Sequence, residues 1–437
     1  MKQSLSFLFS TLFAVGCIGG AANTVCAQQP LPIGDLDLNG SVTAEDVTTL
    51  ARHIADIEGI PSEGYVLSPS GTLFDLGDVN LDGKVDAGDL TDTACHVAEI
   101  RKIAAQGAAH VGTYTPPPAS EGLIFALNAD KESYSVKGIG TCTDAELCIP
   151  SVYDGLPVTG IADSALRYCT QLTRVVMPNS IREIGPFAFS DCTNLASVAF
   201  PSRLDVLDKY AFWKCKKLSS VTVPAGVTVI EKYAFSECTE LQSVTLPNGI
   251  KRLEEYSFSK NYGLKEINFP EGIASIRPYA FEWCELTEVV LPDTVTSLGG
   301  SAFYACKKLV SVRLSGGIKT IQSNTFHDCE KLESITIPDG VITISTDAFW
   351  NCLALKTVAL GNTVETIKES AFRGCGNLQS INIPLSMKEI GNLAFRADSL
   401  TITYAGTHMQ WLDIRRGPSG INTGSCRVVC TDDTYWI

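Results

Sequence analysis

A 23-residue unit recurs along this 437-residue chain from Val158 onward and limits what it can fold into more than any other feature. Written from its second copy the unit is IREIGPFAFSDCTNLASVAFPSR, and units begin at Val158, Ile181, Leu204, Val227, Ile250, Ile273, Val295, Ile318, Val341, Val364 and Met387. One interval is a residue short, lost between Cys284 and Leu286. A fixed period in this range with leucine-like positions marks a solenoid. Within the unit, Leu195, Val198 and Phe200 turn inward from a short strand and Pro201 ends it. Leu204 and Leu207 fill the next layer, and Ala188 and Phe189 close the far side. A single coil cannot bury its own apolar face, so stacking coils about 4.8 Å apart creates a continuous core.

The cysteines follow the same period. Cys169, Cys192, Cys215, Cys238, Cys284, Cys306, Cys329, Cys352 and Cys375 share one slot of the unit, with Asn261 and Asp398 taking it in two further copies. Sixteen cysteines would ordinarily point to a disulfide framework. This spacing predicts instead a ladder of buried thiols facing backbone groups.

The pattern LxxVxIP followed by VxxIxxxAFxxC resembles the BspA-like leucine-rich repeat family across residues 121 to 437. The expected layout is an N-terminal strand cap over 121–157, eleven repeats over 158–400 and a C-terminal cap over 401–437, with Trp411 packing over the last coil. Cys142 and Cys148 sit close enough in sequence for a bridge across a tight loop, and the redox state of Cys426 and Cys430 stays open.

Ahead of the repeats the charge is uneven. Residues 28–110 hold 14 acidic against 4 basic side chains, within a formal net charge of −14 for the whole chain. Two twelve-residue loops carry much of that acidity, DLDLNGSVTAED over 35–46 and DVNLDGKVDAGD over 78–89. Oxygens alternate as a calcium ion requires, with glycine at the sixth position allowing the sharp turn. Loop one offers Asp35, Asp37, Asn39, the Ser41 carbonyl, Thr43 through water and Asp46. Loop two offers Asp78, Asn80, Asp82, the Lys84 carbonyl, Asp86 and Asp89. Each loop runs into an apolar stripe at helical spacing, Val47, Leu50 and Ile54 in one half and Leu90, Ala94 and Val97 in the other.

Residues 31–103 therefore resemble a dockerin of the cellulosome type. The stretch IEGIPSEGYVLSPSGTLF between the halves is longer than that family's pattern. The resemblance implies a small all-α module of two loop-helix motifs, two bound calcium ions, and a cohesin module of a scaffold protein as partner. Its partner-selecting positions fall on Ala44 and Glu45 in one half and on Ala87 and Gly88 in the other. Taken with the repeats, the expected fold class is α+β multidomain: the all-α calcium-binding module joined to a β-rich solenoid.

The first residues read as an export signal, Lys2 preceding the apolar run Leu5 to Ile18, with cleavage expected after Ala27. No later stretch reaches the roughly 20 apolar residues of a membrane helix. The expected location is extracellular, with scaffold association through the docking module. Between Ala104 and Ser120 the sequence AAQGAAHVGTYTPPPAS predicts an extended linker. Neither region carries the basic footprint of a nucleic-acid binder.

Chemistry-bearing motifs are scarce. His53, His96, His110, His327 and His408 show no metal-ligand spacing, and the chain has no GxSxG, HExxH or phosphate loop. Residues two and four beyond each strand leucine should face outward, which gives two rows of mostly small hydroxylated side chains. The exception is Glu266 beside Glu288, with Lys265 and Arg313 flanking, and these four are the candidate ligand contacts. Trp213, Trp283 and Trp350, spaced three units apart, are expected to pack on the outer turns rather than line a sugar site. The functional expectation is a secreted, non-catalytic binding protein, tethered by calcium-dependent dockerin–cohesin contact and presenting its repeats to an extracellular glycan or protein. Two alternatives are a cryptic carbohydrate-active enzyme and a free host-adhesion protein whose calcium module is purely structural.

Overall fold

Local periodicity sets the architecture, and the computed structural model describes it over residues 65–67, 73–75, 119–396, 399–421 and 425–436. The chain divides into two units, Met1–Pro116 and Pro117–Ile437.

In the first unit the described elements are two strands, Tyr65–Leu67 and Leu73–Asp75, paired antiparallel with Val66 opposite Phe74. The expectation of a small all-α module is corrected on this point. The aromatic and β-branched residues of YVL and LFD, separated by SPSGT with its proline and glycine, favour a hairpin over a helix. The calcium loops 35–46 and 78–89, and the partner positions Ala44, Glu45, Ala87 and Gly88, lie outside the described residues.

The second unit is a parallel β-solenoid, and its only described helix is five residues long, His408–Leu412. The fold class is therefore an all-β coil stack, not the expected α+β pair of an all-α module with a solenoid. Each full coil contributes two strands. One ladder is built from strands such as Ser220–Thr222 and Ser243–Thr245, in register Ser220 to Ser243. The other is built from two-residue strands such as Val229–Ile230 and Arg252–Leu253, in register Val229 to Arg252. The offset of 23 drops to 22 where Ser275 meets Ser297, the structural trace of the lost residue. Alternation along each strand sends Val221 and Val244 inward and leaves Ser220, Thr222 and Thr245 exposed.

A third set of main-chain bonds runs along the AF turns. The Phe189, Phe212 and Phe235 amides donate to the carbonyls of Ala211, Ala234 and Ser257 at 2.8, 2.9 and 2.9 Å. The residue preceding AF adopts a left-handed conformation, as at Tyr210 (φ 59) and Tyr279 (φ 61), and so does the residue preceding the cysteine slot, as at Lys214 (φ 61). Two such residues per coil turn the chain sharply enough to set the AF pair inside. The buried phenylalanines stack from Phe189 to Phe395, neighbouring ring centroids 5.0 to 5.8 Å apart and nearly parallel. This column is the centre of the core.

Both ends are closed. The hairpin Ile124–Leu127 with Tyr134–Gly138 caps the N-terminal side and joins the second ladder through Leu156–Ile161. Residues 139–157 also form a shortened coil of their own, whose strand Glu146–Cys148 heads the first ladder against Arg174–Val176. Its free edge is covered by Ser120: the Ser120 amide donates to the Cys148 carbonyl at 2.8 Å, and the Cys148 amide donates to Ser120 Oγ at 3.1 Å. At the other end Ser399–Tyr404 and Ser425–Val429 extend the ladder in parallel and Thr434–Trp436 closes it antiparallel. The short helix carries a Thr407–Gln410 capping box and drives Trp411 to full burial, its ring 5.5 Å from Tyr404.

Candidate functional site

The exposed side of the first ladder is the surface that the repeats present in common. Ser220, Ser311, Ser334, Thr357 and Ser380 stand exposed in one row, and Thr222, Thr245, Thr336, Ala359 and Asn382 in the next. Their inward neighbours are apolar and buried, including Val221, Val244, Ile335, Val358 and Ile381. The outward assignment read from the period coincides with the observed exposure from the third coil onward, apart from half-buried Ser243, while Arg174, Val176, Ser197 and Ala199 in the first two coils are half-buried.

Lys265, Glu266, Glu288 and Arg313 are all exposed on this side, but the ladder does not run evenly beneath them. Strand Ser243–Thr245 pairs with Glu266–Ile267, and pairing resumes only at Glu288–Val290 with Ser311–Arg313. The interruption coincides with the 22-residue interval. Asn268 compensates on one side: its Nδ2 donates to the Leu246 carbonyl at 2.8 Å, and its Oδ1 accepts from the Leu246 amide at 2.7 Å. A second interruption separates Ser197–Ala199 from Ser220–Thr222, where the unit length is unchanged and the Ser219 amide and hydroxyl, donating to the Ala196 carbonyl at 3.3 and 3.4 Å, bridge the gap.

Arg313 does not join the two glutamates. Its Nη2 lies 3.5 Å from Asp293 Oδ1, and the pair borders an open depression shared with Gly316, Thr336 and Pro338. The site is thus a solvated acidic spot at a seam in the ladder, with a salt-bridged edge one coil further on. Both glutamates are open to water on the strand face.

The cysteine ladder is a hydrogen-bonded column. Cys192 Sγ donates to the Leu166 carbonyl at 3.0 Å, Cys215 to that of Phe189 and Cys238 to that of Phe212, each at 3.2 Å. Cys284, Cys306, Cys329, Cys352 and Cys375 repeat the contact with the phenylalanine 25 or 26 residues earlier, at 3.2 to 3.3 Å. Burial pushes the thiols of Cys192, Cys215, Cys238, Cys284, Cys306, Cys329 and Cys352 up, Cys306 to about 12, which removes them from nucleophilic use. Cys142 and Cys148 are buried free thiols, as are Cys426 and Cys430.

The tryptophans pack at the turns, each beneath a cation. Lys214 Nζ lies 4.0 Å from the Trp213 ring centre, Lys307 Nζ 5.8 Å from that of Trp283, and the Arg373 guanidinium 5.4 Å from that of Trp350. Tyr304 and His327 fill the interval between Trp283 and Trp350, with centroids 6.2, 4.8 and 4.9 Å apart along the row. A second row, Phe187, Tyr210, Tyr233, Tyr256 and Tyr279, stacks face to face at 4.5 to 4.7 Å. The sequence signal for it was an aromatic two residues before the column phenylalanine in five consecutive units. Their faces cover one another, so these rings hold coils together rather than offering platforms to a sugar. His327 lies 3.2 Å from Asp328 and His408 lies 3.3 Å from Asp433. Among the described residues no group of three His, Cys, Asp or Glu is placed to hold a metal ion, and no helix is long and apolar enough to cross a membrane.

Such a stack of strand-turn coils around an aliphatic and phenylalanine core defines a leucine-rich-repeat solenoid. The family model for the BspA type leucine rich repeat region matches residues 159–285 and 274–401, and the chain belongs to that family. No curated protein matches the chain. Among solved structures it is similar to a leucine-rich repeat protein from Bacteroides ovatus, at 23% identity over 66% of this chain and 91% of that one, TM-score 0.42. A leucine rich cell surface protein from Faecalibacterium prausnitzii matches at 25% identity over 70% and 99%, TM-score 0.34. The pneumococcal vaccine antigen PcpA matches at 18% identity over 70% and 87%, TM-score 0.41.

Proposed function

We propose that this protein is an exported, non-catalytic binding protein that presents the exposed strand face of its solenoid to an extracellular glycan or protein. The observation that carries the reading is the face itself: exposed hydroxyl and amide side chains repeated at coil spacing over an apolar core, broken by one acidic spot at Glu266 and Glu288. A regular array of this kind supplies many weak, geometrically matched hydrogen bonds, which suits an extended polar ligand better than a small one. The export signal read at residues 1–27 supports an extracellular or surface location.

The duplicated acidic loops support attachment at the other end. Two calcium ions are held by Asp35, Asp37, Asn39, Ser41, Thr43 and Asp46 and by Asp78, Asn80, Asp82, Lys84, Asp86 and Asp89, and the loaded loops dock a cohesin module of a scaffold protein. Pull-down of the full chain with a panel of purified cohesin modules, in calcium and in chelator, tests the attachment. Capture in calcium alone is expected; equal capture in both conditions, or none in either, rejects it.

A further inference from the structure

The thiol column skips one coil. By the 26-residue offset that Cys238 and Cys284 keep with their acceptors, the group reaching the Phe235 carbonyl belongs at position 261, where Asn261 stands. Asn261 is fully buried, and neither its Nδ2 nor its Oδ1 has a hydrogen-bond partner in the protein. Four residues earlier, Ser257 takes the place of the AF alanine; it too is fully buried and its Oγ has no partner. Two unpaired polar side chains in the apolar interior of one coil are costly unless something small and polar pairs them.

Neighbouring protein groups are already engaged. The thiols on either side, Cys238 and Cys284, donate to the carbonyls of Phe212 and Phe258. The amides of Phe258 and Lys260 donate to the carbonyls of Ala280 and Glu282, at 2.9 and 2.7 Å. Ser259, the adjacent buried serine, donates its hydroxyl to Glu282 Oε2 at 3.1 Å. An amide, a hydroxyl and a backbone carbonyl without a thiol are left facing the core. That set matches the two to four polar partners an internal water takes.

We propose that the coil beginning at Ile250 holds an internal water site, where water bridges Asn261 and Ser257 and takes over the contact to the Phe235 carbonyl that a thiol makes elsewhere in the column. Water both donates and accepts strongly, so it satisfies the amide and hydroxyl together. The site lies in the coil that carries Glu266, beside the interruption of the strand ladder.

High-resolution structures of the full chain and of the double variant Asn261→Cys, Ser257→Ala, with thermal melts of both, test the proposal. The variant restores the residues used in the other coils. The expected result is a solvent peak within hydrogen-bonding distance of Asn261 and Ser257 in the wild type, and its loss in a variant that still melts cooperatively. An Asn261 amide bonded directly to protein groups with no solvent peak, or a solvent peak that persists unchanged in the folded variant, overturns it.

Discussion

Replacing Phe303 with alanine removes one rung of the central ring column, and the structure sets what that should do. Phe303 is fully buried, with ring centroids 5.4 Å from Phe281 and 5.5 Å from Phe326 at interplanar angles of 6° and 2°. Loss of a buried ring of this size, together with the cavity left in a core held on both sides by main-chain bonds, destabilises by about 3–5 kcal/mol. The Phe303 amide still donates to Thr325 and the Ala305 amide to His327, so the coil has little freedom to collapse into the gap. Beyond burial, each ring pair should contribute about 0.5–1.5 kcal/mol, which a cycle of Phe303→Ala, Phe326→Ala and the double variant isolates. Urea unfolding followed by far-ultraviolet circular dichroism measures all four proteins. A loss under about 1 kcal/mol for Phe303→Ala, or strict additivity in the double variant, would refute the view that a continuous ring stack holds the coils together.

Three further outcomes follow from the same geometry. The column thiols Cys192 through Cys352 should resist iodoacetamide in the folded protein near pH 8 and react fully in denaturant, because burial holds them protonated; stoichiometric labelling of the folded protein would contradict this. Burial, then the neighbouring Glu254, raises the Glu231 carboxyl above its ordinary value of 4.5. Ionising it therefore penalises the folded state at neutral pH, and the penalty vanishes as pH falls below the unfolded value. Glu231→Gln should raise the melting temperature near pH 7 and leave it unchanged near pH 4, whereas an equal gain at both would show that charge is not the cause. Ser120→Ala leaves the Cys148 amide without its acceptor at the first edge, and a loss of about 1 kcal/mol is expected; an unchanged urea midpoint would mean the edge needs no cover.

Much of the solenoid was legible because a period forces each residue type into one environment. The inward positions of Leu195, Leu204, Leu207, Ala188 and Phe189, the outward rows and the buried cysteine slot all follow from spacing alone. What was not legible depends on how neighbouring coils meet. The residue missing before Leu286 was visible, but its effect, a break in strand pairing between Glu266 and Glu288, is a property of two stacked backbones. The shortened coil over 139–157 escaped notice because its two-strand spacing departs from 23, although Cys142 and the strand ending at Cys148 mark it in hindsight. The expected all-α module rested on helical stripes after the acidic loops. It overlooked the strand-forming alternation of Tyr65–Leu67 and Leu73–Asp75 between them. Coil-to-coil ion pairs such as Lys217 with Glu240 and Lys232 with Glu255 were readable as charges 23 residues apart. On an exposed surface they add little to stability.

The strand face around the acidic seam is, as proposed, where the protein meets its ligand. Binding of the full chain to arrayed extracellular glycans and surface proteins, compared with the joint variant Glu266→Gln, Glu288→Gln, tests that most directly. At least one arrayed species bound by the wild type is expected to lose affinity about tenfold or more in the variant, equivalent to about 1.4 kcal/mol, while the melting temperature is unchanged. Binding of every species at wild-type strength by the variant would contradict it.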